Sequence, residues 1–289
     1  MRATRLWLVI GMITALFATA IVTGCGDEDD EGDGATTEDA GGTPAADIQT
    51  LNEGELFVGT DAPFEPFEIG KPGDPDFGGY DIDVMNAIAE QLGLEVEYMN
   101  TGFGTIFRDT ANGLFDTAAA ASTITKGREK TVDFTEPYYE AQQALLVPEG
   151  SDIASIADVD GKIVGAQDGT TGEAYANDET NASEVRGFPQ GPDAISALVT
   201  SQVDAVIIDQ PVAVDAMENQ QGFEIVEEIP TMELYGFAVS PENDGLREAM
   251  NEAIATLKED GTLGDLYQEY FQTDPPESVL GENPLLTNE

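Results

Sequence analysis

Histidine is absent from the 289 residues, cysteine and tryptophan occur once each, and lysine and arginine together number 11 against 57 aspartates and glutamates. Each shortage excludes something. Without histidine the chain lacks the commonest general base near neutral pH and the commonest zinc or copper ligand. A lone cysteine, Cys25, forbids an internal disulfide, a catalytic thiol in the folded part and any thiolate metal site. The net charge of −46 is spread along the whole length and repels nucleic acid phosphates and anionic head groups, so no nucleic acid partner is expected. The same carboxylates read as a hydrated surface adapted to very high salt, where the screening length shrinks to roughly 3 Å at 1 M.

Met1, Arg2 and Arg5 precede an apolar run from Leu6 to Gly24, the layout of a signal peptide over residues 1–24. Val22-Thr23-Gly24-Cys25 resembles a lipobox, which implies lipidation of Cys25 and a chain held on the outer face of the membrane. The alternative is an uncleaved anchor, since the run is nearly long enough to span a bilayer. Residues 25–49 follow as an acidic tether with no apolar period. Within it Asp27, Asp29, Glu31, Gly32 and Glu38 approach a calcium-loop spacing. Gly34 stands where an apolar residue pins such loops and helical flanks are missing, so a spacer is the reading and no metal is expected.

From Glu55 onward short apolar runs alternate with amphipathic stretches, which predicts an α/β fold with largely parallel sheets. Strands are expected at 56–59, 94–98, 115–121, 144–147, 163–166, 205–209, 223–229 and 235–239. Helices are expected from a cap at Asp83 to Gly93, up to Gly113, from the turn 168–172, over 193–200, and along the amphipathic tail 246–271.

One stretch carries the chemistry. Ala120-Ala121-Ser122-Thr123-Ile124-Thr125-Lys126-Gly127-Arg128, followed by Val132 to Tyr139, is a strand of small residues that opens into hydroxyls with an arginine just beyond. A guanidinium is a flat fork of donors that fits a carboxylate at two points. In a chain so poor in cations, this points to a small carboxylate ligand, and to an amino acid first.

Further pieces stand in a fixed order around that stretch: Val58-Gly59-Thr60-Asp61-Ala62-Pro63-Phe64-Glu65-Pro66-Phe67-Glu68, Gly79-Tyr80-Asp81-Ile82-Asp83, Gly161 to Gly165, Gly169-Thr170-Thr171 and Val203-Asp204-Ala205. From about Leu51 to Thr273 the chain resembles the family 3 extracellular solute-binding proteins of polar amino acid ABC transporters, with a haloarchaeal-like acidic composition. The resemblance implies a periplasmic binding protein-like fold: two α/β lobes joined by a two-strand hinge, closing on ligand in the manner of a flytrap. Lobe 1 is expected at 50–142 and 236–275, lobe 2 at 143–235, and a C-terminal tail at 276–289. It also implies an ABC permease as membrane partner, no cofactor, and a monomer.

Residue by residue, the resemblance assigns Arg128 to the ligand carboxylate and Asp209 to its α-ammonium. Thr123 would contact the ligand through its hydroxyl and Ala121 through its carbonyl, while Thr170 and Thr171 would offer a helix N-terminus to an anion. Phe64 and Phe103 would sandwich the aliphatic part, and Asp61 would reach a side-chain donor. Plainer roles compete: a surface ion pair for Arg128, a helix cap for Asp209 and Thr170, core packing for the phenylalanines. Asp204, Phe67, Tyr80 and Asp83 are expected to be structural, and Gly172 stands where relatives carry a polar side chain. No catalytic residue is assigned. Two rival functions use the same fold: a dehydratase acting on prephenate or arogenate, which needs a positioned acid or base, and a sensory module, against which stands the lack of a membrane helix after Phe271. The acidic surface predicts that the melting temperature falls on transfer from multimolar salt to dilute buffer; an unchanged value overturns the salt adaptation.

Overall fold

The computed structural model describes residues 48–281. The signal peptide, Cys25, nearly all of the tether with its calcium-like spacing, and residues 282–289 of the tail lie outside the described residues.

Leu56 and Val58 point into the core from β1 (Glu55–Thr60), which pairs in parallel with β2 (Glu95–Asn100) along its whole length. Between them runs α1 (Tyr80–Leu92), which buries Val84, Met85 and Ile88 and ends at Gly93 in the left-handed conformation. The helix starts three residues before the expected cap. Gly79 precedes it with φ 114°, and a Cβ there would stand 2.3 Å from the Phe67 carbonyl oxygen, so only glycine lets the chain turn so close. Asp83 instead accepts from the Tyr270 hydroxyl at 2.5 Å.

After α2 (Phe103–Ala111), β3 is only Thr117–Ala118, shorter than the expected strand. It is held between β1 and the antiparallel β10 (Ala238–Val239), and the chain then leaves the sheet through Ala121 at φ 42°. With β4 (Asp133–Phe134) the first sheet has the order β2-β1-β3-β10-β4.

The chain then crosses to a second sheet. Its elements are β5 (Tyr139–Pro148), β6 (Ile163–Gln167), α3 (Thr171–Glu179), β7 (Glu184–Phe188), α4 (Gly191–Val199), β8 (Ala205–Asp209), α5 (Gln210–Asn219) and β9 (Phe223–Tyr235), in sheet order β7-β6-β8-β5-β9. β6 is parallel to β7 and β8, whereas β5 is antiparallel to β8 and β9. β7 was not foreseen: Arg186 and Gly187 interrupt its apolar run, as suits a half-exposed edge strand. β9 replaces the first of two expected strands and runs on to Tyr235. From β9 the chain returns to β10, then forms α6 (Asp244–Glu259), α7 (Thr262–Phe271) and α8 (Glu277–Leu280).

Two α/β lobes joined by two crossing segments, 134–139 and 235–238, result. Aromatic rings pin the crossings. Tyr138 stacks on Phe237 at 4.1 Å between ring centroids, and Tyr139 packs on Tyr267 and Phe271 of α7 at 5.1 and 4.6 Å. Among the described residues no helix is long and apolar enough to cross a membrane. Gly79→Ala is expected to cost about 2 kcal/mol or more, read as a lower urea midpoint at multimolar salt.

Candidate functional site

The carboxyl ends of the parallel strands β1, β3, β6 and β8 face one space, and the chain leaving each strand delivers its polar residues there. Asp61 follows β1, Thr123 follows β3, Gln167 ends β6 and Asp209 ends β8. All nine residues singled out from the sequence line this one cleft: Asp61, Phe64, Phe103, Ala121, Thr123, Arg128, Thr170, Thr171 and Asp209. The cleft is nearly closed: its interior space is about 10 Å³, room for a single water molecule.

Arg128 begins a single helical turn after the hydroxyl-rich stretch. Its guanidinium lies over the rings of Phe103 and Phe107, 5.0 and 4.7 Å from their centroids. Nη1 donates to the Thr123 carbonyl at 2.7 Å and Nη2 to the Gly169 carbonyl at 3.2 Å. Among the described residues no carboxylate pairs with it. Burial therefore lowers its pKa to about 10, and the charges of Glu233 and Asp209 offset this only in part. A surface ion pair is not what this arginine makes.

Opposite it, Asp209 stands at the N-cap position of α5 without capping it. Its Oδ1 accepts from the Tyr235 hydroxyl at 2.6 Å and from Gln143 Nε2 at 2.9 Å. Burial, then the nearby charge of Glu233, raises its pKa to about 7. Gln143 Nε2 also donates to Glu233 Oε1 at 3.0 Å, and Glu233 Oε2 accepts from the hydroxyls of Thr123 and Thr171, each at 2.6 Å. Gly172 lets α3 approach this group: a Cβ there would stand 2.7 Å from Gln143 Oε1. Thr170 caps α3, its hydroxyl accepting from the Glu173 N–H at 3.1 Å.

The far end of the cleft is acidic. Asp61 accepts from Gln167 Nε2 at 2.6 Å and Gln190 Nε2 at 3.2 Å, and burial raises its pKa. Glu68 is fully buried, and neither of its oxygens receives a hydrogen bond from a fixed donor among the described residues. It faces the Asp81 carboxyl, with which it can share only a proton. Asp81 accepts from the Ala121 N–H and the Tyr138 hydroxyl, both at 2.8 Å, and burial lifts it to about 6. Burial first and the Asp81 charge second push Glu68 well above the usual carboxylate range, so the pair holds a proton between them.

Sequence reasoning did not pick out Glu68, Phe107, Gln143, Gln167, Gln190 and Glu233. Glu68 ends a motif already noted, and Phe107 lies one helical turn from Phe103, which were available signals. The three glutamines and Glu233 carry no local signal, because only the meeting of the two sheets places them here. Asp204 is structural as expected: its Oδ2 accepts from the Ile163 N–H at 2.8 Å. Among the described residues no group of carboxylates could hold a metal ion.

Residues 56–273 match the bacterial extracellular solute-binding proteins, family 3. The chain is similar to the ABC transporter glutamine-binding protein GlnH of Bacillus subtilis, 28% identical over 92% of this chain and 97% of the relative. It is also similar to the solved structure of an ancestral arginine-binding protein bound to glutamine, with 37% identity and a TM-score of 0.73 over 77% of this chain and 100% of the other. The ancestral amino acid-binding protein AncCDT-1, a precursor of cyclohexadienyl dehydratase, matches at 33% identity and a TM-score of 0.70 over 75% and 96% of the two chains.

Asp209 has an ordinary value of 3.8 and a folded value of about 7. Between those pH values the folded state holds a proton that the unfolded state has lost, so its contribution is complete at low pH and disappears as pH rises through 7. Asp209→Asn lacks this loss. Its stability relative to wild type is expected to rise by about 4 kcal/mol between pH 4 and pH 8, measured by urea unfolding; a constant difference would contradict the assignment.

Proposed function

Because the chain belongs to the bacterial extracellular solute-binding proteins, family 3, and is the substrate-binding component of an ABC importer for polar amino acids, we propose that it takes an amino acid with a cationic side chain. The α-carboxylate lies against Arg128, the α-ammonium against Asp209, and the side chain extends toward Asp61 and Glu68. One observation carries this reading: a buried guanidinium without a carboxylate partner faces a buried aspartate across a closed cleft. A zwitterion satisfies both charges at once, while a sugar or a metal satisfies neither.

The choice of side chain follows from charge. Asp61 and Asp209 line the cleft against the single cation of Arg128, while burial holds Glu68 toward its neutral form. In a low-dielectric space that excess favours a ligand of net positive charge and opposes a dicarboxylate. Glutamine and arginine, the ligands in the names of the relatives, both place N–H donors at the far end. Phe64 and Phe103 cover the aliphatic stem and exclude water from the ion pairs.

In this reading the lobes join through the crossings 134–139 and 235–238, a few residues before the expected first junction at 142–143, and the protein is a salt-adapted monomer delivered by its signal peptide. Lipid on Cys25 holds it outside the cell, where it hands ligand to a permease. It is not an enzyme. The runner-up, a dehydratase, draws on Glu68, a buried acid in the cleft whose pKa burial raises well above the usual carboxylate range. Incubation with prephenate or arogenate is expected to yield no product, and turnover would favour the runner-up.

In a thermal-shift screen at multimolar salt, L-arginine and L-lysine are expected to stabilise most, L-glutamine less and L-glutamate not at all. Arg128→Ala is expected to raise the dissociation constant for L-arginine by about 100-fold or more. Calorimetric affinity within a few fold of wild type would remove the central support of this reading.

A further inference from the structure

Glu233 accepts three side-chain hydrogen bonds behind the cleft. It follows Met232, a 75% exposed residue whose backbone is held at φ 49°. The pairing of β5 with β9 slips between Ala141 and Gln143, so that Pro230, Thr231 and Met232 bulge from the ladder before Glu233 rejoins it opposite Ala141. A non-glycine residue in left-handed backbone is disfavoured unless its surroundings impose it. Here the bulge delivers a buried carboxylate to the seam between the two sheets.

We propose that Glu233 is a positioning residue that latches the two walls of the cleft together. A single oxygen collects the hydroxyl protons of Thr123, which follows β3 of the first sheet, and Thr171, which opens α3 beside the second. Both distances, 2.6 Å, belong to hydroxyl bonds onto a charged acceptor. The other oxygen accepts from Gln143 on β5 of the second sheet, so the carboxylate touches three separate segments. Thr123 and Thr171 line the cleft on one side and, with Glu233, a wider cavity on the other, so the latch closes the partition between two spaces.

Two consequences follow. A carboxylate only accepts, and each hydroxyl has one proton. With those protons committed to Glu233, Thr123 and Thr171 show the cleft lone pairs alone; they accept from ligand N–H groups and leave the ligand carboxylate to Arg128 and backbone N–H groups. Opening the walls breaks the Thr123 bond, while Thr171 stays with Glu233 beside the second sheet, so the latch slows ligand escape without changing entry. This second consequence rests on the amino acid reading above; the latch itself does not.

The test is hydrogen exchange by mass spectrometry on the full chain at multimolar salt, without added ligand. In Glu233→Ala, amides in the segments 121–128 and 169–174 are expected to exchange about tenfold faster. Glu233→Gln, whose amide oxygen still accepts but carries no charge, is expected to fall between that variant and wild type. Adding Glu233→Ala to Thr123→Val/Thr171→Val is expected to add less than Glu233→Ala does alone, because only the Gln143 bond is left to lose. Exchange at wild-type rates in both Glu233 variants, or effects that add across the combined variant, overturn the latch. If Glu233→Ala unfolds throughout, Glu233→Gln and the threonine pair decide the matter. Stopped-flow binding with L-arginine as probe is expected to show a faster off-rate in Glu233→Gln and an on-rate within about twofold of wild type. Failure of wild type to bind any amino acid defeats the functional reading and leaves the exchange result to judge the latch.

Discussion

A guanidinium resting on two phenylalanine rings, with no carboxylate paired to it among the described residues, sets the terms for the whole cleft. Among 57 acidic residues this is the position hardest to keep unneutralised. The structure keeps it so by occupying the competing acids elsewhere. Asp209 is turned into Tyr235 and Gln143, Glu233 into two threonine hydroxyls, and Asp61 into two glutamine amides. The carbonyls of Thr123 and Gly169 orient the guanidinium without cancelling its charge. What remains is an anion site of one definite orientation.

Surface and interior use charge in opposite ways. The outer carboxylates lie in water, where mobile ions screen them. In the cleft the same charges act through a poorly polarisable medium, and burial shifts Arg128, Asp209 and Glu68 toward their neutral forms. An amino acid that supplies the missing counter-charges restores the ionised forms, so recognition rests on interactions that external salt weakens least. This reconciles a strongly acidic exterior with selective capture of a small zwitterion.

Much of this was legible in the chain. The apolar spacing of α1 and the Gly93 stop, the buried strand ending in Asp209, and the amphipathic α6 and α7 follow from local periodicity and capping, which need few distant partners. Arg128 stood out through the run of small residues and hydroxyls before it, whereas Thr123, Asp209, Phe64, Phe103 and Asp61 were assigned through the resemblance to solute-binding proteins. The errors are also physical. β3 shrank to two residues because a strand lasts only as long as its neighbours pair with it. β9 passed through Pro230 to Met232 because β5 holds the ladder on either side of the bulge.

The order of elements, the absence of histidine and cysteine chemistry from the folded part, and the placement of one arginine after a run of small residues were decided by the sequence alone. They depend on residue type and spacing, which a linear chain already contains. The lone state of that arginine, the proton shared between Glu68 and Asp81, and the junction at Glu233 were decided only by tertiary structure. Each arises where segments distant in the chain meet in a space with little water, and burial and partner geometry do not exist before the two sheets come together.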